Sequence, residues 1–553
     1  MKLLTLKFCR IDGTFLPWSI DLGKHLLSSY PLPEGLTPIP SEVPLPHKIT
    51  LEILDDPDPS DSTSGGRPKL SKMGLDQREE NPPASAKVTT TLTGNLAEPR
   101  ATILYTPPED PEPPAPCEQL KDHLPSVDPP IESKFPPADR IEIPDPTEVR
   151  LVGNKRLTPD THWQDVRELT FVMSDEFEYL PGETMTIYPK NFPEDVQALI
   201  DLMDWNEVAD KPLRLQPEYP DLYLDEYLVP TAPGLYPLPR TTLRQLLIHN
   251  LDITAIPKRH FFELIAHHTN DPMHKERLLE FTNPAFTDEF YDYATRPRRS
   301  ILEVLQEFSS VKIPWKWATS FFPVIRGRAY SVASGGTLLD YPYEPHVIKV
   351  QLIVALVKYR TVLKKVRQGL CSRYLASLPV GTELHVKFTI PEKFYERAKD
   401  VPQLPLILVA PGTGVAPCRA LLWDRAQLHF ENKHTTGKAY LFYGGRNKDA
   451  DFFYKDDWRY LQTEVFTAFS RDQKEKIYVQ DIIRREGKLL EHLIRKEAAI
   501  IYVCGSSGNM PKAVKEALID VCHKFNSDGR SREAIENGFD KLEKNGHYIQ
   551  ETW

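Results

Sequence analysis

Two stretches of this sequence join a short apolar run to a glycine turn and then to a helix-like pattern, and a third opens a helix directly on a glycine. In LPLILVAPGTGVAPCRALL a strand runs into Pro411-Gly412-Thr413-Gly414, and Pro417 stands where a helix can begin. Glycine keeps such a turn tight and lets a ligand approach the backbone. The helix start that follows offers free N–H groups and a favourable dipole to a phosphate. In IIYVCGSSGNMPKAV, Cys504 and Gly505 end a strand, at the edge where open parallel sheets bind ligands. A buried cysteine is usually only packing, but its place beside this glycine favours an active-site role. Gly369-Leu370-Cys371-Ser372 opens the helical RYLASL, another start suited to an anion.

Two further stretches add side-chain chemistry. FSRDQKEKIYVQ puts Ser470, Arg471 and Lys476 ahead of and into a predicted strand that carries Tyr478. Two cations and a hydroxyl beside an aromatic suit the 2′-phosphate and adenine of NADPH, because arginine forks onto phosphate oxygens. Alone, such a string is usually a solvated basic loop; here it follows two nucleotide-type junctions. Arg328-Ala329-Tyr330-Ser331 begins another strand. Arg328 could neutralise a pyrophosphate, Tyr330 could stack on a flavin, and Ser331 could hydrogen-bond near the reactive ring nitrogen. Alone, this string is more often just a strand.

RAYSVAS, GLCSRYL, APGTGVAPCRA, FSRDQKEKIYVQ and YVCGSSGNMPKAV stand in one order and spacing, and by them the chain resembles the NADPH–cytochrome P450 reductase superfamily over about residues 148–553. Within it, PRRSILEVL, ETMTIYPKNF and the final ETW look most like the NADPH-dependent diflavin oxidoreductases of cytosolic iron–sulfur protein assembly. The resemblance implies an FAD-binding barrel with a helical connecting insert, then an NADP-binding α/β domain. It implies that Arg298, Arg328, Ala329, Tyr330, Ser331, Gly369, Leu370, Cys371 and Ser372 hold FAD, with Trp553 as the aromatic that covers the flavin. Thr413, Ser470, Arg471, Lys476, Ile477, Tyr478, Val479 and Gln480 would hold NADPH. Ser331, Cys504 and Glu551 resemble the trio that lines the hydride path. Glu551 stands where P450 reductase has Asp, and Ala513 where the family usually has an Asp near the nicotinamide. Electrons would pass from NADPH through FAD, and FMN in the intact family, to an anamorsin-type Fe–S protein. By the same resemblance the compartment is cytoplasmic, with mitochondria as a second.

The elements that must position these residues follow from periodicity. VRLVGNKRLT, VRELTFVMS and ETMTIYP alternate as antiparallel strands do. LRQLLIHNL, HFFELIAHH and RSILEVLQEF carry apolar residues at helical spacing. PLILVA, KAYLFYGG, KIYVQ and AIIYVCG are short buried-strand runs, mostly separated by helical patterns, as in a parallel sheet with crossover helices. The expected fold is α+β multidomain: an antiparallel FAD-binding β-barrel at 148–395 with a helical insert at about 193–322, then a parallel-sheet NADP-binding domain at 396–553, ferredoxin–NADP reductase-like.

Residues 48–147 open on a strand-like ITLEIL and otherwise read as a Pro-rich, partly disordered linker. Residues 1–47 include a helix candidate at Ile20–Tyr30 and resemble the last helix and exit linker of a flavodoxin-like domain. No FMN phosphate loop precedes the barrel, so no residue here is assigned to FMN; a truncated chain is expected in preference to a genuinely short form.

A formal charge of −10 argues against a nucleic-acid surface. The six cysteines form no CxxC pair, which disfavours zinc or an Fe–S cluster in this chain and fits a reducing compartment. No apolar stretch reaches membrane-spanning length. Two other readings fit parts of the sequence. One is a binding module whose redox site stays idle; the other is a single-flavin ferredoxin reductase, against which the large helical insert argues.

Overall fold

The computed structural model describes residues 21–22, 25, 28–29, 49–54, 135–177, 179–217, 235, 237, 240–362, 364–389, 401–430, 436–461 and 463–553. The readings made for 1–20, 30–48 and 55–134 lie outside the described residues, apart from helical backbone at Asp21, Leu22, His25, Ser28 and Ser29.

Sixteen strands can be followed among the described residues. β1 (Ile49–Ile53) falls in the window read as linker, yet it pairs antiparallel with β5 (Pro212–Pro217), which also pairs with β6 (Thr241–Thr242). Leu51 faces the core beside Leu213, so the alternation in ITLEI reports a strand half-buried against the helical insert. Helices Pro193–Leu202, Leu243–His249, Arg259–Ala266 and Ile301–Glu307 surround that core. Thr242 and Ser300 begin two of them with reciprocal capping boxes.

The barrel strands are β2 (Thr147–Arg156), β3 (Val166–Ser174), β4 (Thr184–Ile187), β7 (Arg328–Ser331), β8 (Val347–Ala355) and β11 (Glu383–Thr389). They form one antiparallel sheet in the order β7-β4-β11-β2-β3-β8, and a bridge from Val332 to Leu352 on β8 joins its two ends. Leu151, Phe171, Met185, Val350, Leu352 and Val386 fill the interior, plugged by Cys371, Tyr374 and Leu375 of the helix Leu370–Ser377. The hairpin of β9 (Lys358–Arg360) and β10 (Val366–Gln368) leads into that helix. The helical insert lies between β4 and β7 and packs around a core of its own.

The final sheet has β12 (Leu406–Pro411) at its centre, with β13 (Ala439–Gly445) and β14 (Glu464–Phe469) on one side and β15 (Ile500–Gly505) and β16 (Tyr548–Thr552) on the other. All four pairings are parallel. Separate apolar cores line its two faces, one around Leu408, Leu441 and Tyr502 and the other around Val409, Phe442 and Val503.

One predicted strand is wrong. KIYVQ is not in the sheet: Tyr478 caps the helix Val479–Arg485, with Asp481 accepting from the Tyr478 N–H at 2.9 Å. The strand is the preceding EVFTAF, β14, whose register with β13 brings Phe469 level with Gly445. The reason is local, because an acid three residues into an apolar run favours a helix start. The helix after Gly414 also begins earlier than Pro417 suggests, at Val415.

The barrel and the parallel sheet meet closely. Arg419, on the helix Val415–Phe430, donates to the Ala333 carbonyl and the Gln351 side chain, each at 2.9 Å. Its guanidinium also lies over Tyr454, whose hydroxyl donates to Glu168 of β3 at 2.6 Å. Gly335 and Gly336 fit where no side chain could: a Cβ would stand 2.2 Å from the Ala420 carbonyl oxygen and 2.3 Å from that of Trp423.

Candidate functional site

Ser331 ends β7, and its hydroxyl donates to Glu551 on β16. Cys504 lies directly opposite Glu551 in the β15–β16 register. Three residues drawn from two domains thus converge at the C-terminal edge of the parallel sheet. Burial raises the Glu551 pKa, opposed by the bonds it accepts from Ser331 and Tyr502. Cys504 is fully buried, and burial together with the neighbouring Cys418 holds its thiol well above the usual range. Tyr502, not singled out in the sequence, supplies the second hydrogen bond to Glu551. The only signal for it is its position two residues before Cys504, on the same strand face.

Tyr330 stands one residue before Ser331 on β7, and Trp553 two residues after Glu551 at the end of β16. The backbone of Trp553 is fastened: its N–H donates to the Gly505 carbonyl at 3.1 Å and its carbonyl accepts from Ser507 at 2.9 Å. Trp553 nevertheless remains 51% exposed, an unusual state for so large an apolar residue on an anchored strand end.

On the barrel side, Tyr330 faces the Cys371 thiol, and burial pushes that thiol up to about 11 against the Tyr330 hydrogen bond. Arg328 and Ala329 are exposed on β7, and Arg298 is exposed with a left-handed φ of 50°. Gly369 is the N-cap of the helix Leu370–Ser377, which has no side-chain cap. A Cβ there would stand 2.9 Å from the Val357 side chain. The Ser372 hydroxyl is engaged inside the protein, donating to the Gly369 carbonyl and accepting from the Val357 N–H, both at 3.1 Å. Cys371 and Ser372 are both buried, so these two act by shaping the helix start. Leu370 is half-buried beside them.

Arg367 was missed. It donates to Glu303 at 2.6 Å, yet its Nη2 is buried with no hydrogen-bond partner among the described residues. An orphan cationic donor next to Arg298 and an uncapped helix start fits a dinucleotide phosphate.

At the sheet edge, Thr413 sits in the turn Gly412–Gly414, where Gly412 has φ 58° with open space around a would-be Cβ. Ser470 donates to the Gly445 carbonyl through both its N–H, at 3.0 Å, and its hydroxyl. The Arg471 N–H donates to the Arg446 carbonyl at 2.8 Å. Arg471, Lys476 and Tyr478 are exposed; Ile477 and Gln480 are half-buried. Val479 is in the core, packed against Gly444, so its side chain supports the loop instead of lining the site. Arg446 adds a second guanidinium beside Arg471; burial and then the Arg471 charge lower its pKa. Nothing in YGGRNK marks it except its place after a strand-ending Gly-Gly.

An antiparallel barrel abutting a parallel sheet, with an orphan phosphate-type donor on one and a cationic strand edge on the other, defines a flavin and nicotinamide-nucleotide oxidoreductase. Residues 141–374 match the FAD binding domain family, and residues 408–516 match the oxidoreductase NAD-binding domain family. Along 98% of its length the chain is 42% identical to the NADPH-dependent diflavin oxidoreductase 1 of Aspergillus fumigatus, covering 77% of that protein. It is 42% identical to that of Emericella nidulans and 33% to that of Danio rerio, again over 98% of its length, covering 76% and 77% of those proteins. The chain belongs to the NADPH-dependent diflavin oxidoreductase family. No helix among the described residues is long and apolar enough to cross a membrane.

Proposed function

We propose that the chain takes hydride from NADPH at the Ser331–Glu551–Cys504 edge and sends electrons on, through FAD and the family's FMN, to an anamorsin-type Fe–S protein of cytosolic cluster assembly. The observation that carries this reading is the Ser331–Glu551 hydrogen bond, which links the barrel strand to the sheet edge beside Cys504. FAD, when bound, supplies the conversion of a two-electron donor into single electrons.

The chain's own residues supply position and charge. Arg298, Arg328, Arg367 and the Gly369 helix start would hold FAD. Thr413, Ser470, Arg471 and Lys476 would hold NADPH, and the Trp553 indole would cover the flavin face. Burial favours the protonated forms of Cys504 and Glu551. The Ser331 hydroxyl, hydrogen-bonded to Glu551, can relay a proton to or from that carboxyl. Ala513, at the start of the helix Met510–Lys524, offers no carboxylate to the nicotinamide side.

The test uses the purified, flavin-loaded chain with NADPH and two acceptors. Ferricyanide should be reduced quickly and cytochrome c poorly. Adding a relative's FMN-binding domain should then raise delivery to an anamorsin-type Fe–S protein. Absence of NADPH-dependent ferricyanide reduction with FAD bound would end the proposal, and fast cytochrome c reduction by the chain alone would remove the FMN relay from it.

A further inference from the structure

We propose that the barrel takes part in coenzyme selection: its 157–165 loop, through Trp163 and His162, positions Arg446 as a second guanidinium for the 2′-phosphate of NADPH. This rests on the NADPH site proposed above.

The loop joins β2 to β3 and is internally braced. The Arg156 guanidinium donates to the His162 carbonyl at 2.9 Å. The buried Thr158 hydroxyl donates to the Gln164 carbonyl at 2.9 Å and accepts the Val166 N–H at 3.2 Å. A loop held this way can present a side chain at a fixed height. It presents two to the neighbouring domain.

The Trp163 ring lies beneath the Arg446 guanidinium, with 3.9 Å between its centroid and the guanidinium carbon. His162 Nε2 stands 3.0 Å from Asp451 Oδ1. The other Asp451 oxygen accepts the N–H groups of Arg446 at 2.9 Å and Asn447 at 3.0 Å. One barrel loop therefore lies under the Arg446 guanidinium and stands against the carboxylate that holds its backbone.

From there the connection to the phosphate-type residues is direct. The Gly445 and Arg446 carbonyls accept from the Ser470 and Arg471 N–H groups at 3.0 and 2.8 Å. Asp472 extends the same seam, accepting from the Lys448 N–H at 2.9 Å and from the Asn447 side chain at 3.1 Å. Neither Arg446 nor Arg471 has an ion-pair partner among the described residues. Each also feels the other's charge, which contributes to the lowering of the Arg446 pKa.

The two adjacent cations repel each other, an effect the Asp451 carboxylate offsets only in part, and a dianionic phosphate between them relieves that repulsion. An indole face holds a guanidinium without neutralising it. Trp163 can therefore keep Arg446 in place while leaving its charge available, which a carboxylate could not do.

The experiment compares binding of 2′,5′-ADP and 5′-AMP to the flavin-loaded full chain by calorimetry, in wild type, Trp163→Ala, Trp163→Phe, Arg446→Ala and Arg471→Ala. Flavin content and melting temperature serve as folding controls. On the cation–π scale, Trp163→Ala should weaken 2′,5′-ADP about fivefold and leave 5′-AMP unchanged, and Trp163→Phe should recover most of the loss. Arg446→Ala should weaken 2′,5′-ADP at least as much. Equal weakening of both nucleotides by Trp163→Ala would overturn the proposal, because the loop would then be a general support. No effect of Trp163→Ala, with Arg471→Ala still selective for 2′,5′-ADP, would overturn it and leave the NADPH site standing. If Arg471→Ala shows no selectivity either, the NADPH assignment fails first and this inference with it.

Discussion

The parallel sheet carries two strand–glycine–helix junctions side by side, and they are built on opposite terms. The first, from β12 through Gly412–Gly414 to the helix at Val415, is closed by backbone contact: a Cβ on Gly414 would stand 2.3 Å from the Cys504 carbonyl oxygen. The second, from β15 through Gly505 to the helix at Met510, leaves Ser506, Ser507, Gly508 and Asn509 exposed. The first junction is therefore fixed by its neighbour, while the second supplies the contact and keeps its own turn open. In sequence the two look alike; what separates them is that backbone stands against Gly414 and side chains, of Met510 and Pro411, against Gly505.

The sharpest way to break this comparison is Gly414→Ala. The obstacle is backbone and cannot swing aside, so the expected loss is about 3 kcal/mol, read by denaturant unfolding together with flavin content. Gly412→Ala comes next, since φ 58° is costly for a side chain even in open space. About 1–2 kcal/mol should be lost, with weaker NADPH binding and no loss of FAD.

Glu551→Gln probes the register partner of the second junction. Burial raises the Glu551 pKa, so its favourable contribution is complete below the ordinary glutamate value of 4.5 and is lost as pH rises through the raised folded value. The unfolding free energy of wild type should fall relative to Glu551→Gln as pH rises over that range, by about 1 kcal/mol or less, read by denaturant unfolding. Gly508→Ala should be the mildest, within about 0.5 kcal/mol, because a Cβ there meets nothing within 4 Å. A large effect at Gly508 would mean that the open turn is closed in solution.

The sequence conveyed most of the scaffold. VRELTFVMS reads as a strand and is β3, residue for residue. Ser331, Cys504 and Glu551 were matched to family motifs at three distant points, and the fold brings them to one edge. KIYVQ failed because its apolar residues also suit a helix, and the Tyr478–Asp481 cap decides between the two. ITLEI reads as strand-like, but among prolines nothing local points to β5 as its partner. Arg446 and Trp163 were invisible for a different reason. Each is ordinary where it stands, and only the approach of the barrel to the sheet makes them a pair.

That approach has a consequence for recombination. Gly335 and Gly336 touch the carbonyls of Ala420 and Trp423 with no side chain between them, so no change of rotamer can accommodate a mismatch. A hybrid enzyme that takes its flavin half from one relative and its nucleotide half from another must inherit the Gly-Gly pair and the facing helix at matching height. Crossovers that separate them should yield chains whose halves fold and fail to dock.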